Sequence, residues 1–184
     1  GYKGVLVCND SGVITVGTAG EAVGADVSQM DYFKQAIQGN TSASNMIPSE
    51  IPLTNELGEK ELGLPTMFVS TPLKDRDGVV IGIVAIRVDV NALNDLMLSL
   101  NLGKTGETYL VNKDGFMLTE SRFAAHLKEM GLVKKRCALS LKLVNSETGE
   151  LNEGVKQCVA GNNGFDARGY RDYSGLLVLG VWRW

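Results

Sequence analysis

The chain has 184 residues, enough for one large domain or two small ones of about 90 residues each. Hydrophobic residues make up 44% and charged residues 21%, which excludes wholesale disorder. A net charge of −3 excludes electrostatic capture of nucleic acid, and a single histidine, His126, removes most zinc sites.

Gly1-Tyr2-Lys3-Gly4-Val5-Leu6-Val7 opens inside a strand pattern, with Cys8 at its end as plain core. Ser28 followed three residues later by Asp31 predicts a capped helix over residues 28–38, stopped by Gly39. Residues 40–63 are rich in Ser, Asn, Glu and Pro and predict a strand near 42–47 followed by a long, partly exposed loop. The longest apolar stretch, Val79-Val80-Ile81-Gly82-Ile83-Val84-Ala85-Ile86, has strand length and falls well short of the ~20 residues that span a bilayer. Leu93, Leu96, Met97 and Leu100 predict an amphipathic helix over 91–101. Shorter helices are predicted over 121–130 and 152–160, and Val181-Trp182-Arg183-Trp184 closes the chain inside another strand. A sequence that begins and ends within strands reads as a piece of a longer protein.

The chain repeats itself. Lys74-Asp75-Arg76-Asp77-Gly78 and the apolar run after it match Arg171-Asp172-Tyr173-Ser174-Gly175 and its own apolar run, with a second glycine at the same late place. Leu6-Val7-Cys8-Asn9-Asp10-Ser11-Gly12 matches Leu110-Val111-Asn112-Lys113-Asp114-Gly115 less tightly. A polar residue followed by Gly between two apolar runs signals a hairpin, because the turn needs φ > 0. A spacing of roughly 100 residues is too long for a solenoid and suits two copies of a small domain. Hairpins with helices between them predict an α+β fold with antiparallel sheets.

Three cysteines cannot all pair. Cys137 and Cys158 flank a loop that a disulfide could close in an oxidising compartment; the alternative is two buried thiols. No phosphate-cradling loop is present, since Gly103-Lys104-Thr105-Gly106 lacks the spacing, and no cofactor is implied. His126 has no nucleophile pattern nearby and reads as a surface helical residue.

The run Gly103-Lys104-Thr105-Gly106-Glu107-Thr108-Tyr109-Leu110-Val111-Asn112-Lys113-Asp114-Gly115 resembles the opening of the membrane-proximal module of double Cache sensor domains. Asp31-Tyr32-Phe33-Lys34-Gln35-Ala36 resembles the helix of their membrane-distal module. Pro72-Leu73 with Asp77-Gly78-Val79-Val80-Ile81-Gly82, and Tyr170 to Gly175 with Val178-Leu179-Gly180, resemble the late hairpins of the two modules. The resemblance implies two tandem PAS-like (Cache) modules, residues 1–98 and 99–184, each a mainly antiparallel sheet flanked by helices. It implies an extracytoplasmic domain, membrane-anchored in the full-length protein, at the input end of a histidine kinase, chemoreceptor or cyclic-dinucleotide enzyme, with no catalysis of its own. The family's long N-terminal helix, which mediates dimerisation, has no counterpart in this sequence, so a homodimer stays open.

Ligands of such domains bind the distal module between helix and sheet. By position, the resemblance puts Tyr32, Phe33 and Asp89 around a small organic ligand, and Asn45, Met67 and Arg87 complete the expected ligand-binding set. Strand alternation sets Ala85, Arg87 and Asp89 on one face, so Arg87 beside Asp89 could clamp a carboxylate-bearing molecule with a polar or cationic end. The alternative is a core Phe33 and a solvated ion pair. Amino-acid-binding relatives carry an arginine where this chain has Met30, which counts against a plain amino acid. The rival functions are a small hydrolase or transferase on an α+β scaffold, and a spacer with a filled pocket.

Overall fold

The computed structural model describes residues 2–18, 22–55, 57–100 and 102–184. Gly1 and Asn101, expected in a strand and a helix, lie outside the described residues. The chain divides between Ala92 and Leu93 into two compact units.

The first unit holds a five-stranded antiparallel sheet. β1 (Tyr2–Asn9) pairs with β2 (Ile14–Gly17) on one side and with β9 (Val80–Val88) on the other. β8 (Phe68–Lys74) lies on the far side of β9, and the two-residue β3 (Ser42–Ala43) closes the edge. The spatial order is β2-β1-β9-β8-β3. Alternation along β9 buries Ile83 and Ala85 and leaves Ile86 40% exposed, so one face of the sheet is a core face. Helix α1 (Asp31–Ile37) covers it, burying Tyr32, Phe33 and Ala36 against Leu6, Cys8, Ile14, Phe68, Ile83 and Ala85.

The expected capping box at Ser28 does not form. The N–H of Ser28 donates to Asp26 Oδ1 at 2.8 Å, the helix begins at Asp31, and its N-cap Met30 makes no side-chain cap bond. The long loop expected after residue 47 is instead a folded finger. β4 (Ile47–Pro48) pairs with β7 (Pro65–Thr66), and β5 (Leu53–Thr54) pairs with β6 (Lys60–Glu61) beyond them. Ser49 Oγ accepts from the Leu64 N–H at 3.0 Å, and Thr66 Oγ1 donates to the Ile47 carbonyl at 3.1 Å. These side chains help hold strands too short to hold themselves.

In the second unit, β10 (Gly164–Arg171) and β11 (Leu177–Trp182) form an antiparallel hairpin. Isolated bridges at Val111–Met117, Phe116–Lys142 and Val144–Leu151 carry the rest of the strand pairing. Helix α2 (Asn91–Ser99) spans the division and has no buried side chain. α3 (Ala124–Glu129) starts later than expected because Ser121 Oγ accepts from the Phe123 N–H at 3.0 Å and donates to Glu107 Oε2 at 2.7 Å. α4 (Glu153–Val159) is capped by Asn152, whose Oδ1 accepts from the Val155 N–H at 3.1 Å. Met117, Leu127, Val133, Cys137, Leu141, Leu143, Val155 and Tyr173 form this unit's own core.

The repeat in the sequence is one turn used four times. The Oδ1 of Asp75 accepts from the N–H groups of Asp77 and Val79 at 3.0 and 2.9 Å. Asp172 does the same with Ser174 and Leu176 at 2.8 and 3.0 Å. Asn9 and Asn112 repeat it in the earlier pair. Three residues on, Gly78 and Gly175 sit at φ of 84° and 83°, a left-handed conformation that costs any other L-residue. The turn aligns Asn9 with Asn112, one residue off the register that Leu6 and Leu110 suggest. The two late glycines are likewise offset by one and do different work. A side chain at Gly82 would strike the Cys8 carbonyl; one at Gly180 would strike the Tyr170 ring.

The expected Cys137–Cys158 bond is not formed, and all three cysteines are buried free thiols. Cys137 belongs to the second core, with its N–H held by Glu120 Oε2 at 2.9 Å, whereas the Cys158 thiol donates to the Arg183 carbonyl at 3.3 Å. The two side chains serve different neighbours. Among the described residues, no helix is long and apolar enough to cross a membrane, and no cluster of His, Cys, Asp and Glu is placed to hold a metal.

Candidate functional site

A cavity of about 70 Å³ opens in the first unit between the core face of the sheet, the start of α1 and the finger. That is room for roughly five water-sized positions. Val5, Leu6 and Ile14 from the first two strands form one wall, and Val27, Met30 and Tyr32 form a second. The finger covers them with Ile47, Pro48, Ile51 and Leu53. Charged and polar groups reach it at a few points: Lys3, Thr18, Ser49, Glu50, Thr66 and Arg87. An apolar recess with a few convergent polar groups is the usual form of a small-molecule site.

Tyr32 is fixed from two sides. Its ring stacks on Phe68 with centroids 4.5 Å apart and planes at 25°. Its backbone carbonyl accepts from the buried Ser70 Oγ at 2.8 Å, tying the first turn of α1 to β8. Burial raises the phenol's pKa, and the Cys8 and Glu50 charges add to the rise, so the hydroxyl stays a neutral donor. Arg87 stands opposite Phe68 on β8 and opposite Gly4 on β1. Its guanidinium makes one long hydrogen bond, Nη2 to the Lys3 carbonyl at 3.4 Å. Burial lowers its pKa and the Asp89 carboxylate pulls it back up; an arginine remains charged under these conditions.

Of the six expected site residues, Tyr32 and Arg87 line the cavity and four do not. Phe33 lies about 100° round the helix from Tyr32 and packs into the core. Met67 falls between Thr66 and Phe68, both of which line the cavity, so strand alternation turns it away. Asn45 is exposed, with its carbonyl accepting from Ser44 Oγ at 2.7 Å. Asp89 shares the Arg87 face but lies past the end of β9, where its Oδ2 holds Lys3 Nζ at 3.2 Å and its Oδ1 accepts from the Asn91 N–H at 3.2 Å. Both oxygens are already engaged, one by Lys3 and one by the Asn91 N–H. The finger residues and Met30 complete the pocket, and neither composition nor position had marked them as lining. His126 is exposed on α3, 3.6 Å from Glu129, and belongs to the other unit.

No family model matches the sequence, and no curated protein matches it. Solved structures do match the fold. The extracellular domain of vpHK1S-Z8, described as a histidine kinase, matches 90% of this chain at a TM-score of 0.51 and 19% identity. A domain of a sensory box/GGDEF family protein from Vibrio parahaemolyticus matches 91% of it at 0.51 and 22% identity. The ligand-binding domain of the Pseudomonas aeruginosa amino acid chemoreceptor PctC, solved with GABA, matches 73% at 0.47 and 20% identity. The chain covers 58%, 63% and 53% of these structures, less than two thirds of each. The chain has the α+β, PAS-like fold of these structures, with an antiparallel sheet and few helices.

Proposed function

We propose that this chain is the extracytoplasmic, small-molecule-sensing part of a transmembrane signalling protein, and that its task is binding and not catalysis. One observation carries the reading: the first unit keeps an open, largely apolar cavity with Tyr32 and Arg87 in its wall, where a packed α+β core would be filled. The shared fold supports it, because the similar structures are sensor domains by description. Arg87 makes a small, carboxylate-bearing organic molecule the class of ligand. A ligand acts on such a domain only by binding one conformation better than another.

The test is a thermal-shift panel of small acids, amines, amino acids and neutral polar molecules. We expect at least one class to stabilise the chain. Ile51→Trp, which fills the cavity from the finger, should remove that stabilisation while leaving the ligand-free melting temperature close to its original value. Hits that stabilise both proteins equally would place binding elsewhere. A panel without hits would favour a spacer.

A further inference from the structure

We propose that the cavity takes a short aliphatic monocarboxylate of about three to five carbons, its carboxylate on Arg87 and its hydrocarbon chain along the finger and α1. This deepens the binding reading above and rests on it.

Arg87 carries an unmatched charge. A guanidinium has five N–H donors in a planar fork, and among the described residues Arg87 directs only one, at 3.4 Å, to a protein acceptor. Asp89, the acid whose charge acts on it, is already held by Lys3 and by the Asn91 N–H. A partly buried cation with donors to spare, on a residue that lines the cavity, favours an anion with two coplanar oxygens. Much of the remaining wall is aliphatic or aromatic: Met30, Ile47, Ile51, Leu53 and Phe68 offer surface to a hydrocarbon chain and no side-chain hydrogen bond.

An α-amino acid fits this wall poorly. Its ammonium sits on the carbon next to the carboxylate, so it would lie beside Arg87 and would need acceptors there. The Ser and Thr hydroxyls in the wall are already turned to the backbone, and the Tyr32 phenol is left as the remaining hydroxyl. Thr18 Oγ1 accepts from the Val5 N–H at 3.0 Å, Ser49 Oγ accepts from Leu64, and Thr66 Oγ1 donates to Ile47. Glu50 is the one acid among the described lining residues, and it stands on the exposed finger, with no ion pair to Arg87. Glu50 therefore defines the competing ligand, one whose ammonium is several bonds from its carboxylate. The small volume sets the chain length.

Titration calorimetry on the whole chain with butanoate, butanamide, 2-aminobutanoate and 4-aminobutanoate decides the matter. Butanoate should bind, and butanamide and 2-aminobutanoate should bind at least about tenfold more weakly. Arg87→Gln should weaken butanoate about ten- to hundredfold, with Arg87→Lys between the two. The comparison of butanoate with butanamide needs no variant and so does not depend on any variant's folding. Tighter binding of either amino acid than of butanoate would overturn this inference and leave the sensing reading standing. Butanoate binding that Arg87→Gln leaves unchanged would also overturn it. Heat from none of the four overturns it as well, and only an empty thermal-shift panel beside that result would remove the sensing reading too.

Discussion

Arg87 and Asp89 share a strand face and yet have different surroundings. Arg87 looks into the cavity, while Asp89 joins Lys3 to the first backbone N–H of α2. Alternation along the strand was legible in the sequence; which of two residues on one face lies over a cavity depends on where the finger ends, and that was not. The Lys3–Asp89 pair is half exposed on the lysine side and contributes about 0–1 kcal/mol. Asp89→Ala should therefore melt near the parent temperature and keep its ligand-dependent stabilisation in the thermal-shift assay. Loss of that stabilisation would bring Asp89 into the site. The cysteines give a second test at this scale. Thiol titration of unreduced, unfolded chain should find three free thiols, where a disulfide would leave one. Burial raises Cys8 and Cys137 from 9.0 to about 11. The neutral thiol is thus the form the fold prefers. That stability is fully present below pH about 9 and is lost as pH rises towards about 11. Melting temperatures should fall across this window, and replacing both cysteines by Val should make the fall shallower. Parallel curves would contradict the assignment.

The hairpin turn recurs in both units, and its chemistry is local. An Asn or Asp side chain closes two backbone N–H groups, and a glycine three residues later supplies the left-handed corner. Asp75→Ala and Asp172→Ala should each cost about 1 kcal/mol in urea unfolding, and Gly78→Ala and Gly175→Ala about 1–2 kcal/mol. Matching costs at the matching positions are expected because the turns are the same; a neutral result at either aspartate would contradict the shared geometry. These turns were readable because Asp-Gly and Ser-Gly stand between long apolar runs. The finger carries the same signal, Asn55 accepting from the N–H groups of Leu57 and Glu59 at 3.0 and 2.9 Å, with Gly58 at φ of 81°. The finger is not legible in the sequence, because its strands are only two residues long and its composition is that of a loop. Short strands give no periodicity to read.

In the molecule as a whole, α+β character was legible as hairpins with helices between them, and the chain divides after Ala92 into two units with separate sheets and separate cores. The units differ in how the sheet is made. The first has a continuous five-stranded ladder; the second has one hairpin, with isolated bridges around a core of similar make-up. That difference was not legible, because apolar alternation marks a strand without saying how long its hydrogen-bonded partner runs. The cavity is likewise a property of assembly: it exists where the finger folds back over the sheet, between residues distant in sequence.

The proposed binding takes place in this cavity of the first unit. Its most direct measurement is an amide chemical-shift titration of the labelled chain with a compound that stabilises it in the thermal panel. We expect saturable shifts concentrated at residues 3–6, 14–18, 30–32, 47–53 and 87, and abolished by Ile51→Trp. Saturable shifts gathered in residues 93–184 instead, with the cavity residues unmoved, would contradict it.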